Sequence, residues 1–328
     1  MKIPVTILTG FLGSGKTTLL KNILQENHGH RIAVIENEFG EEGIDNDLLF
    51  QDRDEQIVEM NNGCICCTVR GDLVRILGEL VAKKENGSIA FDRVVIETTG
   101  LADPAPVAQT FFVDESVSEK YLLDAIVTMV DCKHASLQFD EHHEAQEQVG
   151  FADRILFTKT DLIEPLAFHA LRQRVVKMNP RAKIGLAKHG VSSVDDLFDI
   201  RGFNLNSILE IEPNFLTDVD HEHDDEVTSF VFRESRPLRL EPLERFMDGL
   251  VQIYGVNLMR YKGVLNIKGQ GQRVVFQGVH MLMGSELGSS WRHGEKRESK
   301  MVFIGKNMPK ESIMSGLSLC IDKKASTK

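Results

Sequence analysis

The chain has 328 residues, 42% hydrophobic and 27% charged, a balance that suits a globular protein with room for two domains. No apolar run nears the roughly 20 residues of a membrane span, and the start runs into a strand pattern instead of a signal peptide. Three of the five cysteines are crowded together, which is no disulfide framework and points to the cytoplasm. The formal net charge of −11 is uneven: residues 1–225 carry 21 Lys and Arg against 39 Asp and Glu, whereas residues 226–328 carry 17 against 10. The basic part lacks a nucleic-acid motif or an aromatic stacking signature, so its expected contact is an acidic protein surface or the acidic half itself.

An apolar run over 3–8 (IPVTIL) predicts the first strand. It enters GFLGSGKTT, after which Leu19, Leu20, Ile23 and Leu24 keep the spacing of one helix face. A second short strand is expected over 31–35, then an acidic loop to Asp54, an extended start to IVEMNNG and a helix over about 70–84. The strand predicted over 93–97 (RVVIE) ends at Thr98, Thr99 and Gly100. Next, DPAPVAQTFF predicts a helix with Asp103 as its cap and Pro104 in its first turn. A strand over 122–130, one helix over 139–152 and a strand over 154–157 follow, then a helix over 165–178 and a strand over 182–187. Strand alternating with helix implies a mostly parallel, doubly wound α/β sheet, whose ligands sit at the carboxyl ends of its strands.

The pattern breaks over 204–225 into an acidic linker containing HEHDD. Beyond it come strands over 227–232, 259–267, 273–279 and 300–304, a helix over 240–253 and a last helix after Pro309. That is a smaller α+β domain compatible with a split β-α-β sheet. The expected organisation is a nucleotide-binding domain over 1–203, the linker, and the second domain over 226–328.

Gly10, Gly15, Lys16 and Thr17 fit the phosphate-loop pattern, in which backbone N–H groups at a helix N-terminus cradle phosphate oxygens. Gly10, Gly13, Ser14, Gly15 and Thr18 belong to that cradle; Lys16 would reach the β- and γ-phosphates, and the Thr17 hydroxyl would bind Mg²⁺. Glu97, at a strand end, supplies a carboxylate for Mg²⁺, directly or through water, and Gly100 a backbone N–H near the γ-phosphate. No glutamine follows Gly100 to orient water, Leu101 standing there, so intrinsic hydrolysis should be slow.

Thr158, Lys159, Thr160 and Asp161 follow a strand as the guanine-reading motif does. Asp161 can accept from two guanine donors that adenine does not present together, while the Lys159 stem lies along the base, so GTP is favoured over ATP. Cys64, Cys66 and Cys67 are one ligand short of a closed four-thiolate site. A carboxylate from Glu36, Glu38, Glu41 or Glu42 can complete a mixed site suited to Zn²⁺, with Co²⁺ or Ni²⁺ as alternatives. Buried core cysteines or a redox pair are the competing readings. His142, His143, His221 and His223 are expected on the surface, and Trp291 and the run from Arg260 to Gly263 in structural roles.

In order, GFLGSGKTT, ENEFGE, NGCICC, VVIETTG with LADPAP, and TKTD resemble the CobW-type metallochaperone GTPases, nearest their bacterial YjiA subgroup. RYKGVL, FQGV and MVFIG extend the likeness through the second domain. The resemblance implies a phosphate-loop GTPase that binds zinc at the CxCC motif and passes it to a client metalloprotein, with Glu36, Glu41 and Cys66 among the metal ligands. A regulatory GTPase or metal sensor with structural cysteines is the alternative function. A nucleotide- or metal-dependent homodimer stays open.

Overall fold

The computed structural model describes residues 2–36, 56–59, 68–203, 225–292 and 294–322. The chain divides into two compact units, one formed by 1–172 with 183–203 and the other by 173–182 with 204–328. In the second unit, Arg174 is fastened to Asp225 by a pair of short ionic hydrogen bonds, and Ser229 Oγ donates to Lys177 O at 2.6 Å.

Among the described residues, seven parallel strands build the first unit: β1 (Ile3–Gly10), β2 (Ile32–Glu36), β3 (Gln56–Glu59), β4 (Arg93–Glu97), β5 (Tyr121–Asp131), β6 (Arg154–Thr158) and β7 (Lys183–Ala187). Their order is β3-β2-β4-β1-β5-β6-β7: from the central β1 the chain passes to β2 and the edge strand β3, returns to set β4 between β2 and β1, and then runs outward through β5, β6 and β7 on the other side. That reversal is a switch point, where the crevice beyond the strand ends opens. Among the described residues the helices are α1 (Lys16–Gln25), α2 (Thr68–Glu85), α3 (Ala105–Val113), α4 (Glu115–Lys120), α5 (Ala135–Glu141), α6 (His143–Phe151) and α7 (Pro165–Met178), the last with its residues from 173 onward in the second unit. Leu19, Leu20 and Ile23 of α1 bury completely against Leu8, Val34, Val95, Val127 and Met129, each contributing about 1.5–3 kcal/mol. This packing fixes where the start of α1 meets the end of β1.

In the first unit, three local features differ from the sequence reading. The helix expected over 139–152 is two, α5 and α6, because His142 is extended (φ −134°, ψ 111°) and lays its ring on Phe11, with centroids 4.8 Å apart. The short α4 went unpredicted; it is capped by Asp114, whose Oδ1 accepts from Val117 N at 3.1 Å. At α3 the cap position is Pro104, and Asp103 Oδ1 accepts from Ala105 N at 2.8 Å, one residue off the expectation.

The second unit holds an antiparallel sheet of β8 (Val227–Glu234), β9 (Leu258–Leu265), β10 (Gln272–Val279), β11 (Leu282–Ser290) and β12 (Ser299–Lys306), in the order β11-β10-β9-β12-β8. β12 lies antiparallel to both β8 and β9, so β8 and β9 are parallel with a strand between them, the expected split β-α-β arrangement. α8 (Leu240–Tyr254) and α9 (Lys310–Leu319) cover one face, where Leu243, Met247 and Leu317 meet Phe230, Tyr261, Phe276 and Phe303. Among the described residues no helix is long and apolar enough to cross a membrane.

Candidate functional site: a phosphate loop at the strand ends

β1 delivers its last residue, Gly10, into a place where a side chain cannot fit. A Cβ there would lie 2.4 Å from Met129 O, and φ is +144°. Gly13 and Gly15 also have positive φ, and Gly15 caps α1, so the loop curls back and aims the helix N-terminus into its own concavity. Two threads hold the loop from the far side of β5. Thr158 Oγ1 donates to Ser14 O at 3.0 Å, and Lys159 Nζ donates to Gly13 O at 2.9 Å.

Within the loop, Lys16 is buried and its Nζ donates to Gly10 O at 2.8 Å and Phe11 O at 3.4 Å. Burial lowers its pKa, opposed by the negative charge of Glu97. An arriving phosphate would offer Lys16 anionic partners in place of two carbonyls. Thr17 Oγ1 donates to Glu97 Oε1 at 2.8 Å, from the first turn of α1 to the end of β4, which brings together the hard oxygen donors that Mg²⁺ takes. Ser14 Oγ is buried with no hydrogen-bond partner among the described residues. Cradle, cation and hydroxyl–carboxylate pair therefore fit a Mg²⁺-nucleotide. Thr18, the other hydroxyl of the motif, is exposed.

Gly100 begins the turn after β4 and touches the phosphate loop directly: a Cβ would sit 2.7 Å from Leu12 N and 2.8 Å from Leu12 Cα. On the other side, Lys159 adopts a left-handed conformation (φ 53°) that turns the chain into the short helix carrying the exposed Asp161. The sequence-predicted residues at the ends of β1, β4 and β6 are thus gathered at one edge of the sheet. Glu36 joins them: as the last residue of β2, it is paired in register with Glu97 on β4 and with Glu59 on β3. Cys64, Cys66, Cys67, Glu38, Glu41, Glu42, His221 and His223 lie outside the described residues.

Sequence reasoning missed three contributors. Asp131, at the end of β5, accepts from Lys159 Nζ at 2.6 Å, His134 Nδ1 at 2.9 Å and Lys133 N at 2.9 Å. Burial pushes its carboxyl up, but these donors outweigh burial and hold it below the usual carboxylate range. A charged residue closing an apolar strand was its signal, the same that marked Glu97. The loop after β7 lies on α1, where Asn22 Nδ2 donates to His189 O at 3.3 Å and Gly190 packs on Thr18. Gln148 of α6 is the third; a lone glutamine in a helix carries no local signal.

Fold and site together define a phosphate-loop nucleoside triphosphatase. Residues 4–185 match the family described as CobW/HypB/UreG, nucleotide-binding domain, and residues 227–321 match the cobalamin synthesis protein cobW C-terminal domain. The chain belongs to this CobW family. It is 43% identical over 317 residues to the zinc chaperone YjiA of Escherichia coli, covering 96% of this chain and 98% of that one. The zinc-regulated GTPase metalloprotein activator 1 of Schizosaccharomyces pombe is 32% identical over 319 residues, with 84% and 75% covered. Among solved structures, the Zn(II)-bound YjiA GTPase from E. coli superposes with a TM-score of 0.81 at 38% identity, over 98% of this chain and all of that one.

Proposed function

We propose that the chain hydrolyses GTP to GDP and phosphate and uses that cycle to bind a zinc ion and release it to a client metalloprotein. In this reading the zinc is cargo, held by Cys64, Cys66 and Cys67 with carboxylates from Glu36 and Glu41. Lys16 and the loop N–H groups of Gly10 to Thr18 hold the phosphates, Thr17 would hold Mg²⁺ with Glu97 beside it directly or through water, and Gly100 senses the γ-phosphate. Mg²⁺, when bound, neutralises charge on the phosphate oxygens. Thr158 and Lys159 brace the loop while Asp161 selects guanine. With Leu101 rather than a water-orienting side chain after Gly100, the basal rate is slow. Two copies pairing on nucleotide or metal, and a cytoplasmic location, complete the proposal.

The observation that carries this reading is the pairing of Glu36 with Glu97 on adjacent strands. A carboxylate expected on the cargo metal starts one strand spacing, about 4.8 Å, from the carboxylate expected at Mg²⁺. Glu36 and Glu97 thus close neighbouring strands side by side, and in this reading they pass a change at the γ-phosphate to the cargo metal. Names of the relatives add support, since one is a zinc chaperone and another a zinc-regulated GTPase metalloprotein activator.

The test loads the purified chain with one equivalent of Zn²⁺ and offers it to an apo zinc enzyme whose activity reports acquired metal. Reactivation should be faster with GTP than with GDP and should be lost in Cys66→Ala. Equal reactivation by wild type and variant, whatever the nucleotide, would remove the chaperone reading.

A further inference from the structure

Gln148 is among the most buried polar side chains of the first unit, 1% exposed on α6. Its Nε2 donates to both Gly100 O and Ala102 O, each at 3.1 Å. Two carbonyl acceptors on the same nitrogen fix which end of the amide faces the turn. The residue is itself anchored, since its backbone carbonyl accepts from Thr128 Oγ1 of β5 at 2.7 Å. Its Oε1 is buried and finds no hydrogen-bond donor among the described residues. The amide leaves one acceptor orphaned but supplies a donor to two turn carbonyls that leucine or methionine would leave unbonded, so its chemistry is directed at that turn.

The turn it grips is the one whose Gly100 lies against Leu12 of the phosphate loop. α6 also starts beside that loop, where the His142 ring lies tilted against Phe11. One short helix therefore touches both segments that flank the expected γ-phosphate position. Glutamine is suited to hold such a turn in two settings. Its Nε2 binds the turn's carbonyls in the setting seen here, and its spare Oε1 can accept an N–H once a peptide of the turn rotates, which the glycine at position 100 permits.

We infer that Gln148 is a positioning residue for GTP hydrolysis, one that sets the Gly100–Ala102 turn against the phosphate loop and links that turn to α6. The inference rests on the proposed reading of Gly100 as the γ-phosphate sensor. Gln148→Met keeps the volume and removes both hydrogen-bonding functions; Gln148→Glu keeps the shape but faces two carbonyls with a carboxylate. Each is measured for single-turnover hydrolysis at saturating GTP and for GDP affinity by fluorescent-nucleotide titration.

The expected result for Gln148→Met is a loss of about tenfold in hydrolysis with the GDP Kd within about threefold of wild type, and a larger loss for Gln148→Glu. A structural role alone would lower Tm through the two lost hydrogen bonds and would weaken GDP and GTP binding alike. Hydrolysis by Gln148→Met within about twofold of wild type, or a parallel loss of GDP binding, overturns the proposal. Gly100→Ala, assayed beside them, separates the two layers. If Gly100→Ala also hydrolyses normally, the sensor reading falls and takes this proposal with it; if Gly100→Ala is damaged and Gln148→Met is not, only the role of Gln148 falls.

Discussion

Adding one methyl group at Gly100 should disconnect hydrolysis from binding. The Cβ of Gly100→Ala would lie 2.6 Å from Leu12 Cδ2, 2.7 Å from Leu12 N and 2.8 Å from Leu12 Cα. Carbon needs about 3.5–4.0 Å from such neighbours, so the two segments must part by about 1 Å. Leu12 Cδ2 can rotate away, but its backbone cannot. The phosphate loop is also held by Thr158 at Ser14 O and by Lys159 at Gly13 O, so the turn after β4 is the side that yields. Overpacking of this kind costs about 1–3 kcal/mol. A group displaced by about 1 Å from a reacting phosphate loses on the order of 100-fold in rate. The assay is single-turnover hydrolysis at saturating GTP, with GDP titration as the control for an intact loop. We expect hydrolysis to fall about 100-fold while the GDP Kd stays within about threefold. Wild-type hydrolysis by Gly100→Ala would refute the reasoning, because it would mean the turn plays no part at the γ-phosphate.

Two further outcomes follow from the buried groups at the end of β5, Asp131 and the Cys132 next to it. Asp131 has a folded pKa held below the usual carboxylate range, so the stability it contributes is fully present above the unfolded value of about 3.9 and disappears as pH falls through the folded value. Asp131→Asn should therefore cost about 1–2 kcal/mol at pH 7, discounted because Lys159 is 36% exposed, and the gap in Tm from wild type should close below about pH 4. A gap that widens on acidification would contradict this. Burial, then the adjacent Asp131 charge, pushes the Cys132 thiol up to about 12. Native protein treated with iodoacetamide at pH 8 should show Cys132 unmodified by mass spectrometry, and labelling at the rate of an exposed thiol would count against its burial.

The parts of the site that were legible in the sequence are those carried by contiguous residues at strand ends. An apolar run closing on Gly10, Glu97 or the Thr158–Asp161 motif announces both the strand and the chemistry beyond it, because the parallel sheet brings all such ends to one edge. What was not legible depends on which strands are neighbours. Nothing local to Glu36 says that β2 will lie against β4 and pair it with Glu97. Gln148 and Asp131 likewise act through partners dozens of residues away. β11 escaped because it is an edge strand, largely exposed and with polar residues and glycines in place of apolar alternation. The break at His142 depends on a ring contact with the phosphate loop, which helical periodicity cannot register.

The central claim is that nucleotide and cargo metal share a wall, with Glu36 and Glu97 paired across adjacent strands. The most direct measurement is a Zn²⁺ titration against a competing chelator, made with GDP and with a nonhydrolysable GTP analogue. Linkage requires that if the γ-phosphate alters zinc affinity, zinc alters nucleotide affinity by the same factor. The account predicts a difference in zinc Kd of about tenfold or more between the two nucleotides, mirrored in the nucleotide affinities. A zinc Kd that is the same with either nucleotide would contradict it.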